Sequence, residues 1–295
     1  METWDFRIVD VFTDRPLAGN QLAIFEDATT IPESLLQSLA QEIGYSETVF
    51  AYPATGGADA RIRIFTPANE APFAGHPVLG TAVVMAAVLG KDRVVLETGR
   101  GFVPVRIERT GGEAKRGTME QPIPTVAQYP HSDAFLSALG VKWSVLPVTL
   151  YDNGIPHVYA MLEHPEDVAA LKPDFSALSE LARITGMPVV GFNVFSGALL
   201  SWKTRMFAPA DDIAEDAATG SAAGPLALHL AIHGRIPWDT EIRIAQGEEI
   251  GRPSELFARA IGDADHVERI EVSGFAVPVG GGWFDGDLLR GIESA

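Results

Sequence analysis

The chain has 295 residues and a formal net charge of −17, so it repels phosphate backbones and anionic bilayer surfaces, and neither a nucleic acid nor a membrane is expected as a partner. It contains no cysteine, which excludes disulfides, thiolate metal sites and every thiol-based mechanism. An apolar fraction of 46% and a mean hydropathy of +0.11 suit a globular protein with a sizeable core, and the length suits about two domains of ~150 residues.

Met1–Val11 lacks the basic patch and apolar run of a secretory signal, so a cytoplasmic protein is expected. Phe6–Phe12 and Gln21–Phe25 read as strands, being rich in β-branched and aromatic residues and bounded by turn formers. Pro32–Glu42 reads as a helix, with Pro32 near its first turn and Leu35, Leu36 and Leu39 on one face. A strand starts at Ser46-Glu47-Thr48, and Arg61–Phe65 and Val94–Thr98 follow as strands. Thr110-Gly-Gly-Glu is a hairpin turn after Val103–Arg109, and the Pro-rich Gln121–Thr125 is the expected domain junction. Beyond it, Ser144–Tyr151, His157–Leu162, Val189–Phe195 and Ser201–Phe207 read as strands, and Phe175–Thr185 and Gly220–His233 as helices. Gly280-Gly-Gly reads as a flexible turn, because no strand and GxGxxG pattern surrounds it.

The chain also repeats itself. Phe65 opens Phe-x-Pro-Ala, an acidic or amide pair, a Gly-containing turn and a small-residue apolar helix; Phe207 opens the same series. Upstream, Glu47-Thr-Val-Phe parallels Phe192-Asn-Val-Phe, and Ala18-Gly-Asn parallels Asn153-Gly-Ile. The three correspondences keep their order, which implies a duplicated domain. The expected fold is α+β: two pseudo-symmetric halves, each a curved mixed sheet wrapped on one buried helix. The expected boundaries are 1–123, joined by about 285–295, and 124–284. Val78–Leu89 and Ala222–Ile232 are apolar on nearly every face, so each should be buried all round. Their N-termini are rich in Gly, His, Ser, Thr and Asp, and must still satisfy about four free N–H groups each. Across a cleft between the halves such termini would attract a small carboxylate.

Three places hold residues able to do chemistry. Glu47 stands beside Tyr45, Val49 and Phe50, where partial burial would raise its pKa and suit it to proton transfer near neutrality. On residue type alone, a surface glutamate at a strand edge is the simpler reading. His76, in Gly75-His76-Pro77, opens the first apolar helix, and a structural histidine bonded to a loop carbonyl is an equal alternative. Asp216, in Glu215-Asp-Ala-Ala-Thr-Gly-Ser, either caps the second helix or relays a proton, with Gly220 and Ser221 offering N–H groups to an anion. No metal site is read. His229 and His233 are four apart but lack the glutamate of a zinc motif, and Asp211, Asp212, Glu215 and Asp216 lack the glycine of a calcium loop.

In this order, Asp10-Val-Phe-Thr with Gly19-Asn20, Ser46-Glu-Thr, Pro67-Ala, Ala74-Gly-His-Pro, Asp152-Asn-Gly-Ile-Pro-His, Phe207-Ala-Pro, Glu215-Asp-Ala-Ala-Thr-Gly-Ser-Ala, Gln246-Gly and Gly251-Arg-Pro-Ser resemble the PhzF-like family of phenazine-biosynthesis isomerases. The resemblance implies the diaminopimelate-epimerase fold, with the active site between the halves. It implies Glu47, His76 and Asp216 as proton-handling residues, and Asn20, Ser46, Gly75, Gly220 and Ser221 around the substrate. The two-cysteine racemisation of related enzymes is impossible in a chain without cysteine. The expected function is a proton shift on a small unsaturated carboxylate, trans-2,3-dihydro-3-hydroxyanthranilate or a relative, with no cofactor, in a homodimer. An epimerase or racemase using a non-thiol base, and a carboxylate-binding protein without catalysis, are the alternatives.

Overall fold

The computed structural model of the chain describes residues 2–54, 56–184 and 188–291. The chain divides into two units: residues up to Met119 with those from Gly274 on, and Glu120–Ser273.

In chain order the first unit holds β1 (Thr3–Val11), β2 (Asn20–Phe25), α1 (Leu36–Ile43), β3 (Glu47–Tyr52), β4 (Ala60–Phe65), β5 (Glu70–Ala71), α2 (Gly75–Leu89), β6 (Arg93–Thr98), β7 (Gly101–Thr110) and β8 (Glu113–Gln121), whose last residues enter the second unit. There follow β9 (Thr125–Gln128), α3 (Ser132–Ala138), β10 (Thr149–Asp152), β11 (Pro156–Met161), α4 (Pro165–Ala169), α5 (Phe175–Ala182), β12 (Gly191–Ala198), β13 (Ser201–Ala208), β14 (Ile213–Asp216), α6 (Gly220–Ile232), β15 (Ile242–Gln246), β16 (Ser254–Gly262), β17 (Val267–Asp285) and α7 (Gly286–Arg290).

The pairing repeats strand by strand. β1 and β2 are antiparallel, β2 and β3 parallel, β3 and β4 antiparallel, β4 and β6 parallel, β6 and β7 antiparallel. The series β10, β11, β12, β13, β15, β16 has the same order and the same senses. The short β5 and β14 lie antiparallel on β4 and β13. Each unit is therefore a mixed sheet with one buried helix, and the two are topological copies, the architecture that the internal repeat implied.

α2 forms because Ala74–Leu89 contains no charge and few β-branched runs. It ends where Gly90 takes a left-handed φ of 67° and bonds back to Ala86 O. The helix packs on β1, β2, β3, β6 and β7. Contact is closest at Gly80, where a Cβ would stand 2.6 Å from Val11 Cγ2 and 2.9 Å from Leu22 Cδ2. On the other face of the same sheet Phe25 and Phe50 stack at 4.8 Å among Trp4, Leu36, Leu39 and Phe65, the cluster that covers α1. β2 and β3 are thus buried on both faces. In β3 alternation sends Thr48 and Phe50 toward α1 and leaves Glu47 and Val49 for α2.

Three readings change. The strand expected over 144–151 is only Thr149–Asp152. Pro147 has no N–H for a ladder, and the Ser144 hydroxyl turns onto Leu146 O at 2.7 Å, so the chain before it curls locally. Gly280–Gly282 is not a turn; it lies inside β17, opposite Ile8, Arg7 and Phe6 of β1. Glycine is needed there because a Cβ on Gly281 would meet Phe6 O at 2.5 Å and one on Gly282 the Phe6 ring at 2.9 Å. The helix expected over 32–42 is a 3₁₀ turn at Glu33–Leu35 followed by α1. Thr185, the last residue of the helix expected over 175–185, lies outside the described residues, as do residues 292–295.

Candidate active site

Glu47 is the first residue of β3, and its parallel partner is Leu22 of β2, the residue that presses on Gly80 of α2. Its side chain therefore reaches α2 near the start of that helix. His76, the second helical residue, is buried, and its Nε2 lies 3.5 Å from Glu47 Oε2; the side chains are 5% and 16% exposed. Burial pushes the Glu47 carboxyl up to about 7, against the opposing effect of the Ser46 hydroxyl. The Ser46 hydroxyl donates to Asn20 Oδ1 at 3.2 Å, and Asn20 is buried at the start of β2. Gly75 is the first residue of α2. The first unit thus gathers Asn20, Ser46, Glu47, Gly75 and His76 around one helix N-terminus.

The loop leading to Asn20 is held by Asp10, a buried carboxylate that accepts from Leu17 N at 2.7 Å. Phe12 and Leu17 take positive φ of 62° and 63°, uncommon for side chains of their size. Gly19, at φ +71°, has no room for a Cβ, which would fall 2.4 Å from Val11 O.

The equivalent terminus in the second unit is built by long-range polar contacts. Thr219 precedes α6; its hydroxyl donates to Asp216 Oδ2 at 2.6 Å and its N–H to Gln246 Oε1 at 3.1 Å. Gln246 Nε2 returns two bonds of 2.9 Å, to Asp216 O and to Thr219 Oγ1. These bonds fix the Asp216–Thr219 turn. Glu215, one residue earlier, faces away from Asp216 and forms a buried two-point pair with Arg205, at 2.9 and 2.7 Å. The remaining nitrogen of Arg205 holds the carbonyls of Val168, Ala169 and Leu171.

The first turn of α6 is unusual because Pro225 stands inside the helix. A proline has no N–H for the carbonyl four residues earlier and crowds it. That carbonyl, on Ser221, accepts from Asn153 Nδ2 at 2.9 Å instead. Its neighbours are also held by side chains, Gly220 O by Gln121 Nε2 and Ala222 O by the Tyr159 hydroxyl, both at 2.8 Å. The Ser221 hydroxyl meets His157 Nε2 at 2.9 Å.

Each set of expected site residues is brought together within its own unit: Asn20, Ser46, Glu47, Gly75 and His76 in the first, and Asp216, Gly220 and Ser221 in the second. His229 belongs to the core, fully buried against Tyr151 with an Nδ1 to hydroxyl distance of 2.9 Å. Asp211, Asp212, Glu215 and Asp216 do not converge, and among the described residues no group of three or more His, Asp or Glu is placed to hold a metal ion. Sequence reasoning gave no role to His157, Asn153, Asn193, Gln121 or Gln246. One signal was available: His157 is a polar residue at a position of β11 otherwise occupied by Val158, Tyr159, Ala160 and Met161.

A duplicated mixed sheet in which each copy wraps one buried helix is the diaminopimelate-epimerase type of fold. The chain belongs to the phenazine biosynthesis-like PhzC-PhzF family, whose model matches residues 9–282. It is 46% identical over 267 residues to the trans-2,3-dihydro-3-hydroxyanthranilate isomerase of Pseudomonas aeruginosa, an alignment covering 90% of this chain and 94% of that protein. A solved phenazine biosynthesis protein of the PhzF family from Bacillus anthracis superposes with a TM-score of 0.84 at 24% identity, over 97% of this chain and 100% of that one. A probable proline racemase from Agrobacterium radiobacter shares the fold at a TM-score of 0.63 and 14% identity, over 95% of this chain and 92% of that one. No helix among the described residues is long and apolar enough to cross a membrane.

Proposed function

We propose that this isomerase moves a proton from one carbon to another on trans-2,3-dihydro-3-hydroxyanthranilate or a close relative, with Glu47 as the acid–base group. The observation that carries the reading is the state of Glu47: a buried carboxyl with a pKa near 7, 3.5 Å from His76 Nε2. Such a group is present in both protonation states at neutral pH, so it can accept a proton from carbon and return it elsewhere without exchanging its role with a second residue. His76 accompanies the carboxyl through that cycle. The substrate class comes from the relatives at about this level of identity.

The internal repeat favours a shift over epimerisation. An epimerase acting at one carbon needs a group on each face. In the pairing register the second-unit counterpart of Glu47 is Gly191, since Glu47 pairs with Leu22 and Thr48 with Phe65 where Gly191 pairs with His157 and Phe192 with Phe207; a glycine carries no side chain. The repeat thus supplies one carboxylate base and no twin.

Each helix N-terminus, around Gly75 in α2 and around Gly220–Ser221 in α6, carries partial positive charge on its backbone N–H groups and is suited by itself to a carboxylate. A protein of net charge −17 has no long-range attraction for such a ligand, so the field must be local. The test is incubation with trans-2,3-dihydro-3-hydroxyanthranilate in D₂O, followed by NMR. The expected result is a shifted double bond with hydrogen or deuterium delivered to a new carbon, abolished in Glu47→Gln. Inversion at the original carbon without a shift, or an unimpaired Glu47→Gln enzyme, overturns the reading. The same reading takes the enzyme to be a homodimer without a cofactor; sedimentation and activity after dialysis against EDTA decide these two points.

A further inference from the structure

His157 lies on β11, one strand away from Asn193 on β12, and the parallel pairing sets His157 beside Gly191. Three facts determine how its ring is protonated. First, Asn193 Nδ2 is 3.3 Å from each of Val158 O, Gly191 O and His157 Nδ1. An amide group set against two carbonyl oxygens must present its NH₂ to them, because the reverse orientation would oppose oxygen to oxygen. Second, the donor side of Asn193 then faces His157 Nδ1, which must be a bare acceptor. Third, the ring is buried, 1% exposed, with the Tyr159 ring 6.4 Å away and Met206 beside Gly191. Burial holds its pKa at about 3, so the ring is neutral. A neutral imidazole with a bare Nδ1 carries its proton on Nε2, the atom 2.9 Å from Ser221 Oγ.

We propose that His157 is a positioning residue that orients the Ser221 hydroxyl at the mouth of α6, so that its proton is offered to an acceptor oxygen of the substrate. The chain of bonds runs one way, from Asn193 to His157 to Ser221, and the serine oxygen is committed as acceptor from the ring. Its own proton is left to point outward. The Ser221 carbonyl cannot swing to compete, since Asn153 holds it at 2.9 Å. Gly191 is part of the same device. A Cβ there would stand 2.4 Å from His157 Nδ1 and 2.8 Å from its Cε1, so the ring sits flush on the backbone and cannot rotate out. The inference deepens the proposed function, on which its substrate consequence rests: the proton of Ser221 is presented to a carboxylate or carbonyl oxygen at this mouth.

Two measurements test it. In ¹⁵N-labelled protein, long-range proton–nitrogen correlation should show His157 in the Nε2–H form. An Nδ1–H ring or an imidazolium at neutral pH overturns the proposal, whatever the enzyme's activity. Equilibrium binding of anthranilate is then compared among the wild type, Ser221→Ala, His157→Phe and His157→Gln. His157→Phe should weaken binding about tenfold, in the range of one hydrogen bond to a charged group. His157→Gln, which keeps a donor toward Ser221, should recover most of it, and His157→Phe should add nothing on a Ser221→Ala background. A folded His157→Phe protein that binds like the wild type overturns the proposal, as does a His157→Gln protein no better than Phe at equal melting temperature. If His157→Phe does not fold, the NMR form of the ring and the His157→Gln comparison decide. Failure of the wild type to bind anthranilate counts against the carboxylate reading, while the ring's tautomer still decides the role of His157.

Discussion

Pro225 stands four residues after Ser221, and Asn153 Nδ2 supplies the bond to the Ser221 carbonyl that the proline cannot give. A side chain from a turn before β11 has replaced a backbone donor inside α6. Asn153→Ala should leave that carbonyl buried without this partner and cost about 1–3 kcal/mol in denaturant unfolding. Pro225→Ala restores a backbone N–H at the same point, so in the double variant much of the loss should return. Simple additivity of the two changes would show that the two donors do not serve the same acceptor.

Glu47→Gln keeps the size and most of the contacts of the side chain but removes the base. Turnover should fall by about 10²–10⁴, with a melting temperature at neutral pH no lower than that of the parent. In the parent, the rate of the step that needs the carboxylate should rise as pH passes through about 7. A pH–rate profile without an inflection near neutrality would place the base elsewhere.

The same shift has a consequence for stability. The folded pKa of Glu47 is raised from 4.5 to about 7, so between those values the native protein holds a proton that the unfolded chain has released. Its contribution is complete below about 4.5, declines as pH rises, and is lost above 7. The loss amounts to about 3 kcal/mol on the ~1.4 kcal/mol scale per pKa unit. Relative to Glu47→Gln, the parent should lose stability over this window; parallel stability curves for the two proteins would refute the assignment.

Ala normally favours a helix over Gly by about 1 kcal/mol. Gly80→Ala should nevertheless destabilise, because the added methyl falls 2.6 Å from Val11 Cγ2 and 2.9 Å from Leu22 Cδ2. Overpacking of this kind costs about 1–3 kcal/mol, and Val11 is held in a strand with little rotamer freedom. Because Leu22 pairs with Glu47, the substitution should also lower turnover without touching the carboxyl. Unchanged stability in urea would mean that α2 can move away from β1 and β2 freely.

Arg205→Leu should cost about 3–5 kcal/mol, since it strands a Glu215 carboxylate whose side chain is 6% exposed. Adding Glu215→Leu should recover a large part of that loss. The double variant tests a second point, because Glu215 precedes Asp216 in β14: stability regained with activity still missing would indicate that the pair also aligns the Asp216–Thr219 turn.

The repeat, the two buried helices and the hairpin at Thr110–Glu113 were legible because each rests on local pattern: apolar runs, glycine stops, turn residues. Glu47 was legible only by resemblance. Its burial and raised pKa depend on β2 and β3 being covered on both faces, which alternation within Glu47–Tyr52 cannot reveal. His157 and Asn193 escaped for a related reason. They are far apart in sequence, and the register of a parallel pair leaves no local trace. Gly280–Gly282 misled because three glycines suit a turn by composition, whereas here they lie in a strand in which Gly281 and Gly282 make room for Phe6 and its backbone.

β17 has an unequal division of labour. Its first residues, Val267–Ser273, pair with β16, while Ala276–Asp285 pair with β1. β1 is thus completed by a segment that the ribosome delivers only after the whole of the second unit. Until then one edge of β1 has no permanent partner, and edges of that kind recruit neighbouring chains. The second unit has its whole sequence available sooner than the first, even though it begins later. A chain stopped just short of Gly274 would therefore hold the whole of the second unit, while Glu47 and His76 would lie in a sheet left unfinished.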